Sequence, residues 1–291
     1  MHRSSRRHFL KTALAFPVLA AAQTGKRSAT DRVTLGKSGV KVTRLAFGTG
    51  TFGGRVQREL GQEEFTRVVR YAYDRGIRFF ETAESYRGMP EMLGIALKGL
   101  PRDSYQLMSK LSASRPGYDA KTAIDGFRKQ MNSDYFDILL LHCMREPTWV
   151  KDLAKPADDL SEAKDKKVIL AQGASVHGLP ALRQFPGNQW LDIAMIRMNH
   201  NGARMDTEST RDEAKPGVMD EVVATMKKVH SQGMGTISMK LVGEGGFTER
   251  QDRRAALKHA MSLGCVDCVT IGFKSTAEID EAIENLNLAL A

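Results

Sequence analysis

Gln106-Leu107-Met108-Ser109-Lys110-Leu111 and Ile138-Leu139-Leu140-Leu141-His142 are two short apolar runs separated by a helical pattern over residues 119–133. Runs of five or six residues bounded by polar segments fit strands covered on both faces, and the segment between them carries apolar residues at helical spacing. The same beat continues in both directions. Strand-like runs fall at Leu45 to Gly48, Phe79 to Ala83, Val168 to Ser175, Ile193 to Met198, Thr236 to Leu241 and Val269 to Phe273. Helical patterns fall at 62–75, 90–100, 160–167, 179–185, 218–232, 250–263 and 276–290. Eight strands alternating with eight helices, without a long linker or a shift in composition, predict an α/β fold, a (β/α)8 TIM barrel. An open doubly wound sheet is the alternative. Against it, Gly48-Thr49-Gly50-Thr51-Phe52-Gly53-Gly54 is not Gly-x-Gly-x-x-Gly and is not followed promptly by a helix. Ahead of the barrel, Val33 to Thr43 alternates around a Gly/Ser turn and predicts a short N-terminal β-hairpin.

The chain has 291 residues, enough for one large domain. Its net charge of +9 suggests an anionic partner until the charges are located. Residues 1–22 carry four of the cations, Arg3, Arg6, Arg7 and Lys11, and no acid, so their removal lowers +9 to +5 and leaves no nucleic-acid footprint. That segment places Arg6-Arg7 and Phe9 ahead of an apolar run, Thr12 to Leu19, which ends at Ala20-Ala21-Ala22. It resembles a twin-arginine signal peptide. The implied organisation is a signal over 1–22, a linker over 23–31 and a barrel over 32–291. The implied location is periplasmic, by way of the twin-arginine export machinery. No apolar stretch reaches the ~20 residues needed to span a bilayer. Three cysteines, Cys143, Cys265 and Cys268, provide no disulfide framework. Cys265-Val266-Asp267-Cys268 follows a helix instead of opening one, which argues against a redox pair.

In a barrel of this kind the chemistry sits at the C-terminal ends of the strands. That rule selects Glu81, Tyr86, Lys110, His142, Ser175, His177, Asn199, His200, and Lys240 with the loop Gly243 to Gly246. A phenol with a pKa near ~10 needs a cation beside it to become a good acid at neutral pH, and the cation needs a carboxylate to hold it. Tyr86, Lys110 and Glu81 supply those three groups, and His142 can orient a carbonyl oxygen.

These four residues resemble the catalytic tetrad of the aldo-keto reductase family. Phe79-Phe80-Glu81-Thr82-Ala83-Glu84-Ser85-Tyr86 is similar to the family's Asp-Thr-Ala-x-x-Tyr segment. Met108-Ser109-Lys110 and Leu139-Leu140-Leu141-His142 are similar to its lysine and histidine strands. The resemblance implies hydride transfer between a nicotinamide cofactor and an aldehyde or ketone, with Tyr86 as general acid and a small-molecule carbonyl substrate. Ser175 then meets the carboxamide of the cofactor, Lys240 and Gly243 its pyrophosphate, and Lys274-Ser275 an adenosine 2′-phosphate. NADP is therefore expected, with NAD also admissible. The chain departs from the family in having Glu81 for Asp, Val176 and Met195 for two amide residues, and Met198 for the aromatic platform under the nicotinamide ring. Glu278 and Ala282 stand for an arginine and an asparagine of the last helix.

Two other classes compete. One is a metal-dependent barrel lyase, isomerase or hydrolase built on His142, His177, His200 and Glu81. The other is a catalytically degenerate binding protein, motivated by the altered nicotinamide side. Residues 145–159 and 202–217 read as polar loops over the barrel mouth and name no substrate, so sugar, aldehyde and quinone all remain open.

Overall fold

A computed structural model describes residues 26–211 and 216–291. The signal-like segment 1–22 lies outside the described residues. Two short antiparallel strands, β1 (Arg32–Thr34) and β2 (Lys41–Thr43), form the expected hairpin. The barrel follows as β3 (Leu45–Gly48), β4 (Phe79–Glu81), β5 (Gln106–Leu111), β6 (Phe136–Met144), β7 (Ile169–Val176), β8 (Ile193–Arg197), β9 (Gly235–Met239) and β10 (Cys268–Gly272). Every pair is parallel and β10 bonds to both β9 and β3, closing the ring. The helices are α1 (Arg55–Arg58), α2 (Gly61–Asp74), α3 (Met89–Leu97), α4 (Ala120–Gln130), α5 (Trp149–Asp152), α6 (Ala154–Asp165), α7 (Leu179–Leu182), α8 (Met219–Ser231), α9 (Arg250–Ser262) and α10 (Thr276–Leu290).

Helical spacing explains the outer layer. In α2, Phe65, Val68, Val69 and Ala72 fall on one face and are fully buried, the larger of them contributing roughly 1.5–3 kcal/mol each. Asp119 caps α4 by accepting the amides of Lys121 and Thr122 at 3.1 and 3.2 Å. One element differs from expectation. Residues 145–159, expected as loop, hold α5 and the front of α6. Pro156 is compatible with this because it lies in the first turn of α6, where its missing N–H has no partner to lose.

Inside the barrel the period is two. Ala46, Phe79, Met108, Ile138, Leu140, Ala171, Ile193, Met195, Ile237 and Cys268 pack together within the ring, whereas Phe47, Phe80, Leu107, Leu139, Leu141, Ala174, Ile196 and Val269 pack with the helix layer. Leu35, Val40 and Val42 of the hairpin join the inner cluster and plug the N-terminal pole. The plug seats closely at Gly36, where φ is +48° and an added Cβ would stand 2.2 Å from the carbonyl oxygen of Gly233. The segment expected as a linker is fastened at its described end. Ala29 N donates to Asn287 Oδ1 at 2.7 Å, Leu45 N to Ala29 O at 2.9 Å, and Arg27 to the carbonyl of Leu290 at 3.2 Å.

Candidate active site

The two-residue period aims Glu81, Lys110 and His142 inward at the C-terminal ends of β4, β5 and β6. Lys110 Nζ contacts the Glu81 carboxylate and donates to the carbonyl of Thr82 at 2.9 Å. The two side chains are 1% and 4% exposed, so the pair is buried, and burial is tolerable because each charge has a partner. Tyr86 follows in a tight turn, with its amide bonded to Ala83 O and its own carbonyl accepting Met89 N. Its ring packs edge-on to His142, centroids 5.6 Å apart at 83°, and Lys110 Nζ lies over it, 4.8 Å from the centroid. Ser85 Oγ is 3.2 Å from His142 Nδ1 and fixes the imidazole. The expected quartet is therefore assembled in one place.

The electrostatics overturn one expectation. Lys110 and Glu81 were expected to lower the phenol pKa. Instead, burial pushes the Tyr86 hydroxyl well above the ordinary tyrosine value, assisted by Cys143 and Glu244. Burial also pulls Lys110 below the lysine range, with Lys240 adding repulsion. His142 is held well below the histidine range by burial and then by Lys110. At neutral pH the site holds a protonated phenol beside a neutral imidazole.

His142 gains its pose from a β-bulge. Leu141 pairs with Ala174 and Met144 with Val176, so His142 and Cys143 together face Ser175 alone. Cys143 takes up the extra residue at φ +67°, and its amide donates to Ser175 Oγ at 2.8 Å. Gly50 supplies the other wall of the Tyr86 slot, because a Cβ there would stand 2.6 Å from the phenol oxygen. Of the three altered nicotinamide positions, Met195 faces the site. Val176 and Met198 point outward into the helix layer, so Met198 is not a platform for a ring inside the mouth.

A cavity of about 70 Å³ beside Tyr86 is walled by Glu81, Met195, Met239, Lys240 and Glu244. It shares Thr51, Val242, Glu244 and Gly272 with a cleft of about 480 Å³ that runs out to Lys274 and α10. On the other side of His142 lies a cleft of about 860 Å³ between the β5 and β6 loops. Glu244 closes the first passage like a strap. Its Oε1 accepts from Lys240 Nζ at 2.7 Å and from Phe52 N at 3.3 Å. Lys240, Glu244 and Phe52 all have positive φ, near 50–60°. Gly243 packs on the Phe247 ring within this strap. Buried Arg197 and Asp206 pair at 2.6 Å and fasten the loop after β8.

In the long cleft, Ser275 caps α10 by accepting Glu278 N at 3.3 Å. Glu278 reaches back to accept Lys274 N at 2.9 Å, and its other oxygen lies 3.9 Å from Lys274 Nζ. Among the lining residues not foreseen from the sequence are Gln57, Arg253, Glu281 and Asn285. Asn285 follows Ala282 by three residues and so shares its helix face, which was a usable signal; Gln57 sits on a four-residue helix that no pattern announced. Gln57 and Asn285 are each 1% exposed, and each keeps a side-chain carbonyl oxygen without a hydrogen-bond partner. Such acceptors suit an amine-bearing ring like adenine, so the cleft fits the dinucleotide that the sequence implied. The metal-centre alternative is not favoured. Among the described residues no three of His, Cys, Asp or Glu come together as a ligand set, and His200 packs on Phe247 near Asp252. Cys265 and Cys268 are buried, and burial raises both thiols, opposite to what a redox pair needs.

A closed barrel with a buried lysine–carboxylate pair beside a part-buried tyrosine and histidine at its mouth defines a carbonyl oxidoreductase. The family model described as the Aldo/keto reductase family matches residues 44–288, and the chain belongs to that family. It is 26% identical over 269 residues to L-galactose dehydrogenase from Arabidopsis thaliana, covering 83% of this chain and 76% of that one. A 38% identical stretch of 82 residues relates it to an aldo-keto reductase from Mycolicibacterium smegmatis, covering 28% and 30% of the two chains. Among solved structures, an aldo-keto reductase from Bacillus halodurans in its holo form superposes with a TM-score of 0.67 at 17% identity, covering 89% of this chain and 94% of that one. One from Klebsiella pneumoniae in complex with NADP and acetate gives 0.64 at 15% identity, covering 88% and 89%. Among the described residues no helix is long and apolar enough to cross a membrane.

Proposed function

We propose that this chain reduces a carbonyl compound at the expense of a nicotinamide dinucleotide, NADP with NAD also admitted, and that Tyr86 is the proton donor. The observation that carries this reading is the contact chain Glu81–Lys110–Tyr86–His142, in which Glu81 and Tyr86 wall the small cavity and His142 lines the second cleft. The dinucleotide, when bound, supplies hydride to the carbonyl carbon. Gln57 and Asn285 would hold its adenine, Lys274 and Ser275 the adenosine ribose end, Lys240 and the Gly243 loop its pyrophosphate, and Ser175 its carboxamide. A hydroxyl of Ser85 donating to Nδ1 leaves the proton of neutral His142 on Nε2, where it can orient the carbonyl oxygen. As charge develops on that oxygen, Tyr86 releases its proton to it. The transfer is downhill despite the raised phenol pKa, because an alkoxide is a stronger base than a phenolate. Lys110, anchored by Glu81 and the Thr82 carbonyl, then faces the new phenolate.

The second cleft supports a hydroxylated, sugar-like carbonyl substrate. Ser85, Ser112, Ser114, Arg115 and Arg145 offer polar groups to it, and the relative from Arabidopsis is named for a sugar. We further propose that the enzyme is exported to the periplasm by the twin-arginine machinery, on the strength of Arg6-Arg7, the apolar run and Ala20-Ala21-Ala22. Fractionating cells that express the wild type and an Arg6→Lys/Arg7→Lys variant tests that part; a variant still exported would refute it.

The catalytic reading is tested by titrating the protein with NADPH and NADH and then assaying aldose and aldehyde reduction with Tyr86→Phe as control. Binding, together with a loss of turnover of at least about 100-fold in the variant, is expected. Full turnover by Tyr86→Phe would overturn the assignment.

A further inference from the structure

We infer that Glu278 cancels the preference for a 2′-phosphate, so that this chain holds NADH at least as tightly as NADPH. The inference rests on the reading that the long cleft receives the adenine end of the dinucleotide. Two cations line that cleft, Lys274 and Arg253, against three carboxylates, Glu244, Glu278 and Glu281. Each cation is already engaged by a carboxylate in the same wall. Arg253 gives Nε and one Nη to Glu281 at 2.7 and 2.9 Å, and its other Nη to the carbonyls of Phe247 and Thr248 at 2.9 and 2.6 Å. Lys274 has Glu278 beside its ammonium group.

The start of α10 is committed in the same way. A helix N-terminus attracts anions because its first amides lack partners. Here the Ser275 hydroxyl takes the amide of Glu278, and the Glu278 carboxylate takes the amide of Lys274. The chain's own carboxylate therefore stands at the helix end, on the two Lys274 groups that a 2′-phosphate would use. A phosphate monoester carries about −1.5 to −2 charge. To bind there it must displace Glu278 or sit against it, whereas a ribose 2′-hydroxyl can donate to the same carboxylate. Gln57 and Asn285 do not discriminate, because they face the base that both cofactors share.

The test is a direct fluorescence titration of the wild type, Glu278→Gln and Glu278→Ala with NADH and NADPH at one ionic strength. Thermal melts confirm that the variants fold, and Glu278→Gln keeps the backward hydrogen bond of the cap. The wild type should bind NADH at least as tightly as NADPH. Both variants should move the ratio of the two dissociation constants by about tenfold or more toward NADPH, chiefly by tightening NADPH. A wild type that binds NADPH tenfold more tightly, or a ratio unmoved in both folded variants, overturns the role of Glu278 and leaves the cofactor reading standing. Binding of neither nucleotide to the wild type overturns both.

Discussion

Lys110 stands over the ring of Tyr86, 4.8 Å from its centroid, while its hydrogen bonds go to Glu81 and to the carbonyl of Thr82. The lysine thus acts on the tyrosine through the face of the ring. Cation–π attraction of this kind reaches about 2 kcal/mol when desolvated. It holds the ring against His142 and keeps a positive charge beside the phenol when it loses its proton.

The shifted groups set the pH dependence. Tyr86 is held above the tyrosine range and His142 below the histidine range, so neither changes charge near neutrality. For reduction, kcat/KM should show no break near the ordinary histidine value of about 6.5, and an alkaline limb belongs to Lys110, whose buried ammonium is pulled below the lysine range. A pH–rate profile checks this. A break near about pH 6.5 would contradict it.

Removing one member of the buried pair leaves the other charge without a partner. Lys110→Met should cost about 3–5 kcal/mol of stability, and Glu81→Met/Lys110→Met should recover most of that loss while staying inactive. Urea unfolding of the two variants measures the difference. Equal stability of the two would mean that Glu81 finds another partner.

Ser175 holds the bulge that turns His142 toward Tyr86. Ser175→Ala removes the hydroxyl that accepts from the Cys143 amide and should cost about 1–3 kcal/mol, lowering kcat more than cofactor affinity. Cys143→Gly should stabilise the fold by about 1 kcal/mol, because glycine accepts the left-handed backbone without penalty. Thermal unfolding with parallel cofactor titration separates these effects from a direct role of Ser175 in cofactor contact. A Ser175→Ala variant that loses affinity alone would assign the serine to the cofactor.

Gly50 is required by the phenol beside it. Gly50→Ala places a methyl 2.6 Å from the Tyr86 oxygen, so the ring or the loop must shift. A displacement of that size should reduce kcat by about 100-fold with little change in melting temperature, since the loop is at the surface of the mouth. Unchanged kcat would show that the slot accommodates a methyl.

The barrel was legible because each strand is a short apolar run and each helix carries a spaced apolar face. The extent of β5 was read as it occurs, and its parity with β4 and β6 brought Glu81, Lys110 and His142 inward. The same parity places Met198 outside, since Ile193, Met195 and Arg197 occupy the inner positions of β8; the family pattern drew attention to Met198 where the period of the strand did not. The bulge at His142 and Cys143 was not legible, because a register shift is a property of two strands and neither alone records it. The partners of Lys240 and Lys274 were hidden for a related reason. Glu244 and Glu278 lie only four residues from them in sequence, yet it is the left-handed turn and the helix cap that bring the charges together.

The hairpin plug and the ties from Arg27 and Ala29 to α10 fix where the described chain enters the fold. The described chain enters the fold at the sealed pole, where strands begin, whereas Tyr86 and both clefts open at the opposite one. The two poles are separated by the full height of the barrel. The described chain therefore begins at the end of the barrel away from the catalytic mouth, and the first neighbours the fold offers it are the plug and α10, not the clefts.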